Sequence, residues 1–255
     1  MHFDRRLFAA ALALTLLASA GAAAAQSRDQ KIADELVARA TITIESLGHN
    51  KHYEALNEAI VRSQAVLIFP HLFSAGFVFA GARGSGVLLV RDAATGHWVG
   101  PAFYSLTQAS VGLQAGASAS EYIIVVHSQK ALETLFKTGL KLGIDTSLAV
   151  GPLGSGGGAA MTNDVDVFSR AKGLFVGIAL DGAALHIRAP LAAAYYGKPA
   201  TPSEILVERT ISNPAADALR IAVEAAATEI VASIRSASAH KEVPLQTAAQ
   251  TGINP

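Results

Sequence analysis

Residues able to hold a metal ion are scattered along this chain of 255 residues. The histidines lack the paired spacing of a zinc site, although helical spacing would bring His49 and His52 near each other. No carboxylate cluster accompanies these two, so polar residues at a helix break are the favoured interpretation. Asp164 and Asp166 offer oxygen ligands to a hard cation but lack the glycine and the distal glutamate of a calcium loop. We therefore predict no metal centre, and a solvated turn at these aspartates is favoured over a cation site.

Nucleophilic catalysis requires an activated side chain, and two serines stand between glycines. Ser85 and Ser155 lack the G-x-S-x-G spacing of a strand-turn-helix nucleophile, so we interpret both as loop serines. The glycine run at 154–158 offers backbone N–H groups to a phosphate, but no Gly-Lys-Ser/Thr sequence ends it. The sequence therefore predicts no catalytic residue, no enzyme activity and no cofactor.

Basic residues next to strands or apolar groups are the remaining candidates for chemistry. Lysine and arginine pair with phosphate headgroups while neighbouring aromatic rings sit among acyl chains, which is the combination that peripheral membrane binding needs. On composition alone the favoured alternative is that the rings are core residues and the charges solubilise strand ends. The basic candidates are Arg83, Arg91, Lys172, Arg188 and Lys198, and the aromatic candidates are Phe73, Phe77, Trp98 and Phe175.

The first 25 residues have the three-part layout of a secretory signal peptide. Arg5 and Arg6 precede the apolar run at 7–17, and three alanines at 23–25 end the segment. The run is shorter than the roughly 20 residues of a membrane-spanning helix. We expect residues 1–25 to be removed and the mature chain to be exported to the periplasm or cell envelope, or secreted.

Loss of this segment changes the charge of the chain little. The whole chain has 20 basic and 20 acidic residues, so removal of Arg5, Arg6 and Asp4 leaves 18 and 19, a net charge of −1 with histidine neutral. Nucleic-acid binding would call for a basic excess, so we predict no nucleic-acid partner. The chain contains no cysteine, and a chain of this length needs no disulfide to stabilise its core.

Helical patterns stand at both ends of the mature chain. The capping-box residues 27–30 begin a helix that runs to about Leu47, and a second helix is predicted near 53–63. Thr201 and Asn213 provide capping signals for two C-terminal helices. Apolar periodicity fades after Ser236, which predicts one domain over 26–236 and a flexible tail over 237–255.

The middle of the chain is strand-like. Residues 77–92 predict a hairpin with a glycine-loosened tip, and the unbroken apolar run 123–126 predicts a fully buried strand. Asp181-Gly182 predicts a tight turn in a hairpin between 174–180 and 183–188. The predicted fold is α+β, with a twisted, mostly antiparallel sheet, barrel-like or sandwich-like, covered by the N- and C-terminal helices.

Several motifs, in order along most of the mature chain, resemble the SYLF family, a lipid-binding domain of eukaryotic endocytic and cortical-actin regulators and of exported bacterial proteins. The resemblance begins at the Arg83-to-Arg91 segment RGSGVLLVR. The other motifs are Phe69-Pro70 with Ala75-Gly76, Trp98 with Pro101-Ala102, the GLQAG at 112–116, Val150-Gly151-Pro152, the AKGLF at 171–175 and Tyr195-Tyr196-Gly197.

Three positions depart from the family pattern. Ser74 stands where the family often has lysine, Ala171 where it often has serine, and Glu121 where aspartate is common. Because one basic position is missing, the resemblance implies generic phospholipid binding rather than phosphoinositide selectivity. The actin-directed activity of eukaryotic members is not carried over to an exported protein.

Residues and resemblance together predict non-enzymatic phospholipid binding by a peripheral protein of the cell envelope. The alternative is a protein-interaction or structural module with a partner in the envelope or in a host, and the oligomeric state is left open. A lipid hydrolase is the least favoured option, because no nucleophile motif is present. The predicted lipid-binding residues are Arg83, Lys172, Arg91, Arg188, Phe175 and Trp98.

Overall fold

The structure is a computed structural model. Helices lie at both ends of the part of the chain that it describes. That part comprises residues 26–46, 54–76, 79–111, 116–152, 163–172, 180 and 182–228. The helices are α1 (26–46), α2 (Glu54–Arg62), α3 (Gln129–Lys137), α4 (Ala189–Tyr196), α5 (Pro202–Leu206) and α6 (217–228), with a 3₁₀ turn at Pro214–Ala216 before α6. The predicted capping box at Thr201 is confirmed, because its side chain accepts from the backbone N–H of Glu204 and the glutamate side chain reaches back.

Eight strands of the described residues form one curled sheet between these helices. They are β1 (Ala65–Gly76), β2 (Phe79–Arg91), β3 (Trp98–Val111), β4 (Gly116–Val126), β5 (Leu140–Lys141), β6 (Leu148–Pro152), β7 (Val165–Lys172) and β8 (Ala184–Ile187). The spatial order is β5-β8-β3-β2-β1-β4-β7-β6. Every pairing is antiparallel except that of β6 with β7. The predicted α+β fold with a mostly antiparallel sheet and terminal helices is confirmed.

The core lies against both faces of the middle of this sheet. Residues 65–69 of β1 and 122–126 of β4 are at most 1% exposed, as the unbroken apolar run at 123–126 predicts. On one face the ring of Phe103 meets that of Tyr195 in α4, with centroids 5.2 Å apart. On the other face the hydroxyl of Tyr104 donates to the Leu135 carbonyl of α3 at 3.0 Å.

Two predicted hairpins differ from the observed ones. Residues 79–91 form the single strand β2, so the predicted turn around its glycines is wrong. A turn closes at the predicted place, because the N–H of Ala183 donates to the Leu180 carbonyl at 2.9 Å and Gly182 has φ +76°, whereas Asp181 lies outside the described residues. The strand after this turn, β8, has β3 on one side and β5 on the other, whereas the predicted partner 174–179 lies outside the described residues.

The register gives the sheet two distinct ends. We call the end with Gly76, Phe79, Val111 and Gly116 the distal end, and the end with Ala65, Arg91, Trp98, Val126 and Val165 the proximal end. No helix of the described ranges is both long enough and apolar enough to cross a membrane.

Candidate functional site

A groove of about 560 Å³ opens on the sheet between α1 and the start of α4. Leu36 of α1 forms one wall, and Arg188, which precedes α4, lies on the other side. The floor is made by β1, β2 and β3. The residues of these strands that line the groove are Pro70, His71, Phe73, Arg83, Gly84, Ser85, Ser105, Leu106 and Thr107.

Strand pairing places the polar lining of this groove on one face. Arg83 lies between Phe73 and Thr107 in one cross-strand row. Directly paired residues of antiparallel strands point to the same face of a sheet, so the guanidinium, the ring and the hydroxyl share a side. The next row of the floor repeats the pattern with His71, Ser85 and Ser105.

A bulge in β1 shapes the floor beside these rows. The register shifts between Ile68 and His71, around Pro70, which has no N–H to give to the sheet. Opposite the bulge, a Cβ on Gly84 would lie 2.5 Å from the His71 carbonyl oxygen. Glycine is therefore required by the close approach of the two backbones.

Two guanidinium groups at this groove have no carboxylate partner among the described residues. Arg188 donates to the Ser85 hydroxyl at 3.3 Å, and Arg83 is exposed. Arg39 of α1 differs, because it pairs with Glu35 at 2.7 Å and donates to the His71 ring at 2.9 Å. Unpaired guanidinium groups beside hydroxyls favour binding of an anion with several oxygens, such as a phosphate.

An apolar side chain borders these charges. Phe73 is 61% exposed, and its ring centroid lies 6.3 Å from that of His71. A large exposed ring next to cationic groups is typical of a surface that contacts both a headgroup and an acyl chain. The groove can thus bind an anion and an adjoining apolar group.

The six predicted lipid-binding residues are not all at this site. Arg83 and Arg188 line the groove, and Lys172 extends the row of Arg83 through Phe73 and Ala119 at the backbone level. Phe175 lies outside the described residues.

The other two predicted residues lie at the proximal end. Arg91 donates to the Val61 carbonyl at 2.8 Å and so satisfies the end of α2. Trp98 is 3% exposed and packs in the core. From these positions neither side chain reaches the groove.

Sequence reasoning missed part of the groove. Ser105, Thr107 and Leu36 were not singled out, and Ser85 was interpreted as a loop serine although it lies in β2. The alternation of Phe73 with His71 and of Arg83 with Ser85 is the signal that could have indicated a polar strand face. Ser155 lies outside the described residues.

The aspartates considered for a cation have protein partners. Asp164 accepts from the backbone N–H and the hydroxyl of Ser147, both at 2.9 Å. The backbone bond from Ser147, followed by that from the Ser128 hydroxyl, lowers the pKa of Asp164 below its usual value. Asp166 pairs with the His127 ring at 2.9 Å. The described residues contain no group of three or more potential metal ligands.

Glu121, one of the departures noted above, has a structural role. Its carboxylate is 6% exposed and pairs with the guanidinium of Arg170 in the adjacent strand. Arg170 also donates to the Ser46 hydroxyl of α1 at 2.9 Å. This network therefore fixes the C-terminal part of α1 against the sheet.

Comparisons with known proteins agree with the resemblance to the SYLF family, whose family model is named Ysc84. Residues 107–226 match the model of the family Ysc84, described as Las17-binding protein actin regulator. An SH3 domain-containing protein of Schizosaccharomyces pombe is 31% identical over 173 residues, which are 65% of this chain and 40% of that protein. Protein YSC84 of Saccharomyces cerevisiae is 32% identical over 155 residues, 58% of this chain and 33% of the relative.

An animal protein shows the same level of similarity. SH3 domain-containing YSC84-like protein 1 of Bos taurus is 33% identical over 119 residues, 45% of this chain and 35% of the relative. The chain thus spans two fifths or less of the length of each of these three relatives. No solved structure matches the chain significantly.

Proposed function

We propose that this chain, which belongs to the SYLF domain family, is a non-enzymatic protein that binds phospholipid headgroups at a membrane surface through the groove between α1 and α4. The observation that carries the proposal is the pair of guanidinium groups, Arg83 and Arg188, without carboxylate partners among the described residues and beside the exposed ring of Phe73. The description of the family names binding and regulation, and no reaction.

The charges of the groove suit a phosphate diester. Arg188 donates one hydrogen bond to Ser85, and its planar guanidinium has further N–H groups that can donate to phosphate oxygens. Arg83 is free to move toward a ligand, and the hydroxyls of Ser105 and Thr107 can bond further oxygens. A basic residue near an anionic membrane contributes about 1 kcal/mol of attraction, so a few such residues give reversible peripheral binding.

Vesicle flotation of the chain tests this proposal. We expect binding to vesicles of phosphatidylglycerol and phosphatidylcholine at low salt, weaker binding at near-physiological salt, and no binding to pure phosphatidylcholine, because screening weakens exposed charges. Arg83→Glu should lower binding by roughly tenfold to thirtyfold, which corresponds to about 1 kcal/mol for each unit of charge changed.

The matched control is Arg62→Glu. It makes the same change of charge at the end of α2, three positions before the proximal end of β1, where Arg62 is exposed and its guanidinium lies 3.7 Å from the Glu58 carboxylate. Equal losses for the two variants would mean that only net charge matters and would contradict a binding site at the groove.

A second candidate is a protein-binding module, favoured by the relatives that are named for binding Las17. The same guanidinium groups could pair with carboxylates of an acidic peptide. Affinity capture with the chain and with Arg83→Glu, compared with flotation of both, separates the candidates. Capture that depends on Arg83 without any vesicle binding would favour the protein partner.

We also propose that the chain is exported after removal of residues 1–25. The support is the order of Arg5 and Arg6, the apolar run 7–17 and the alanines at 23–25. N-terminal sequencing of the chain from an expressing cell should begin at Gln26. A chain that retains Met1 would contradict the proposal.

A further inference from the structure

Four long stretches of this chain carry no charged side chain and no histidine. They are 72–82, 98–120, 146–163 and 173–180. Charged residues make up 16% of the chain, so a stretch of 23 residues such as 98–120 would contain between three and four of them at the average density. Stretches of similar length without charge also occur at 189–197 and 243–255, so the position of the four stretches in the fold, rather than their length, carries the argument.

The topology brings parts of these stretches to the same end of the sheet. At the distal end Gly76 pairs with Ala80 on one side and with Gly116 on the other, and Phe79 pairs with Val111. The strands β6 and β7 run parallel, so their last residues also point to this end. Uncharged segments that are far apart in sequence thus meet at one edge of the fold.

We call the strand residues between the distal end and the row of Arg83 the uncharged layer. A row that contains two basic residues forms its inner border. The row runs across five strands as Thr107, Arg83, Phe73, Ala119 and Lys172. The strand end at Gly76 lies three positions after Phe73, which corresponds to roughly 10 Å at about 3.3 Å per residue. Amphipathic elements bury in the headgroup region of a bilayer to a depth of about 5–10 Å. The depth of the layer therefore matches that of the membrane interface.

The described side chains of this layer can be desolvated at low cost. Phe73 is exposed, and so are Gly81, Thr107 and Ala109. None of them carries a charge, whose removal from water would be expensive. The proximal end differs, because a membrane there would have to cover Asp92, His97 and Asp164.

We infer that the distal end of the sheet inserts edge-on into the interfacial layer of an anionic bilayer, as far as the row of Arg83, so that the guanidinium groups meet lipid phosphates while the uncharged strand ends lie among the upper acyl chains. This inference rests on the proposed lipid binding and adds its orientation to it. The helices α1 and α4 then stand beside the headgroups, and the proximal end faces away from the membrane.

Site-specific fluorescence tests this orientation directly, because the chain contains no cysteine. Ala109→Cys, exposed in β3 near the distal end, and Ala93→Cys, exposed in the turn at the proximal end, would each be labelled with the polarity-sensitive dye NBD. With phosphatidylglycerol vesicles we expect a several-fold rise and a blue shift of emission for Ala109→Cys and no change for Ala93→Cys. Nitroxides on the upper acyl chain should quench the first dye more strongly than nitroxides at the chain terminus.

The single tryptophan is an internal control that needs no substitution. Trp98 lies at the proximal end and is 3% exposed, so lipid quenchers should leave its emission unchanged. Flotation of both labelled variants without any change of the Ala109→Cys dye would overturn the inference and leave lipid binding intact. Failure of the unlabelled chain to float would overturn both.

A charge placed in the uncharged layer gives a second test. Ala109→Glu should lower vesicle binding by at least several-fold, since a carboxylate would have to enter the interface next to anionic lipid. Ala93→Glu adds the same charge at the proximal end and should change binding only slightly. Equal binding of the two variants, with wild-type circular dichroism for both, would overturn the proposed orientation.

Discussion

The two ends of the sheet are built from different interactions. At the proximal end Asp92 accepts hydrogen bonds from Thr95 at 2.7 Å and Arg209 at 2.6 Å, and Arg91 closes the end of α2. At the distal end the strands β1 to β4 finish in uncharged residues, and Phe73 is exposed. Side-chain hydrogen bonds thus stabilise the proximal end, whereas the distal end exposes uncharged residues to solvent. Stability and binding should therefore respond to substitutions in different places.

Two phenylalanines in β1 should give the largest contrast. Phe69 is fully buried, whereas Phe73, four residues later, is 61% exposed. Phe69→Ala should lower the free energy of unfolding by about 3–5 kcal/mol, because it removes a packed ring and leaves a cavity. Phe73→Ala should change it by less than about 0.5 kcal/mol and should weaken vesicle binding. Urea denaturation followed by Trp98 fluorescence measures the first effect and flotation the second. Equal losses of unfolding free energy for the two variants would contradict the placement of Phe69 in the core and of Phe73 at the surface.

Two glycines of β2 should give the next largest difference. A Cβ on Gly86 would lie 2.6 Å from the ring of Phe69 and 2.7 Å from the Ile68 carbonyl oxygen. Gly86→Ala should therefore cost about 1–3 kcal/mol through overpacking. Toward the distal end, a Cβ on Gly81 would meet only the Gln108 carbonyl oxygen, at an ordinary 3.5 Å. Gly81→Ala should stay within about 0.5 kcal/mol of the wild type in the same urea experiment.

The same glycines show where prediction from sequence stops. Periodicity and capping signals predicted the buried run at 123–126, the turn between Leu180 and Ala183, and the caps at Thr201 and Asn213, because each depends on residues close together in sequence. The capping box predicted at 27–30 is wrong, since α1 already includes residue 26. The glycines of β2 look like turn residues, and the sequence predicted a hairpin there. Gly84 and Gly86 are required instead by the close approach of β1 near its bulge, which is a contact between strands and leaves no local signal.

The groove depends even more on distant pairing. Arg83 and Arg188 are 105 positions apart, and both approach the same site because β3 pairs with β2 on one side and with β8 on the other. The sequence predicted both residues as members of a basic set but gave no reason to separate them from Arg91. Trp98 was included as an aromatic next to charge, whereas its place at the start of β3 buries it in the core.

Acid should remove a stabilising interaction at the proximal end. The bond from the Thr95 hydroxyl, followed by that from Arg209, holds the pKa of Asp92 well below its usual range. A lowered pKa in the folded state adds stability above the unfolded value of about 3.9 and loses it as the pH falls toward the folded value. Asp92→Asn should therefore be less stable than the wild type near neutral pH, and the difference should shrink below about pH 4.

Urea midpoints across this pH range measure the effect. Phe73→Ala is the control, because it removes no titratable group and should keep the wild-type dependence on pH. A constant difference between Asp92→Asn and the wild type at every pH would contradict the role given to the charged form of Asp92.

Two arginines of β2 give the smallest expected effects and test the difference between the proximal and distal ends within one strand. Arg91 bonds a helix carbonyl at the proximal end, so Arg91→Ala should cost about 1 kcal/mol of stability through the lost hydrogen bond and leave vesicle binding unchanged. Arg83 has no ion pair among the described residues, so Arg83→Ala should change stability by less than about 0.5 kcal/mol and lower vesicle binding several-fold. The two arginines lie 8 positions apart on one strand. A loss of stability for Arg91→Ala and a loss of vesicle binding for Arg83→Ala would show that one arginine stabilises the fold and the other binds lipid. If Arg91→Ala weakened vesicle binding as much as Arg83→Ala, the membrane would have to contact both ends, and the proposed edge-on orientation would be wrong.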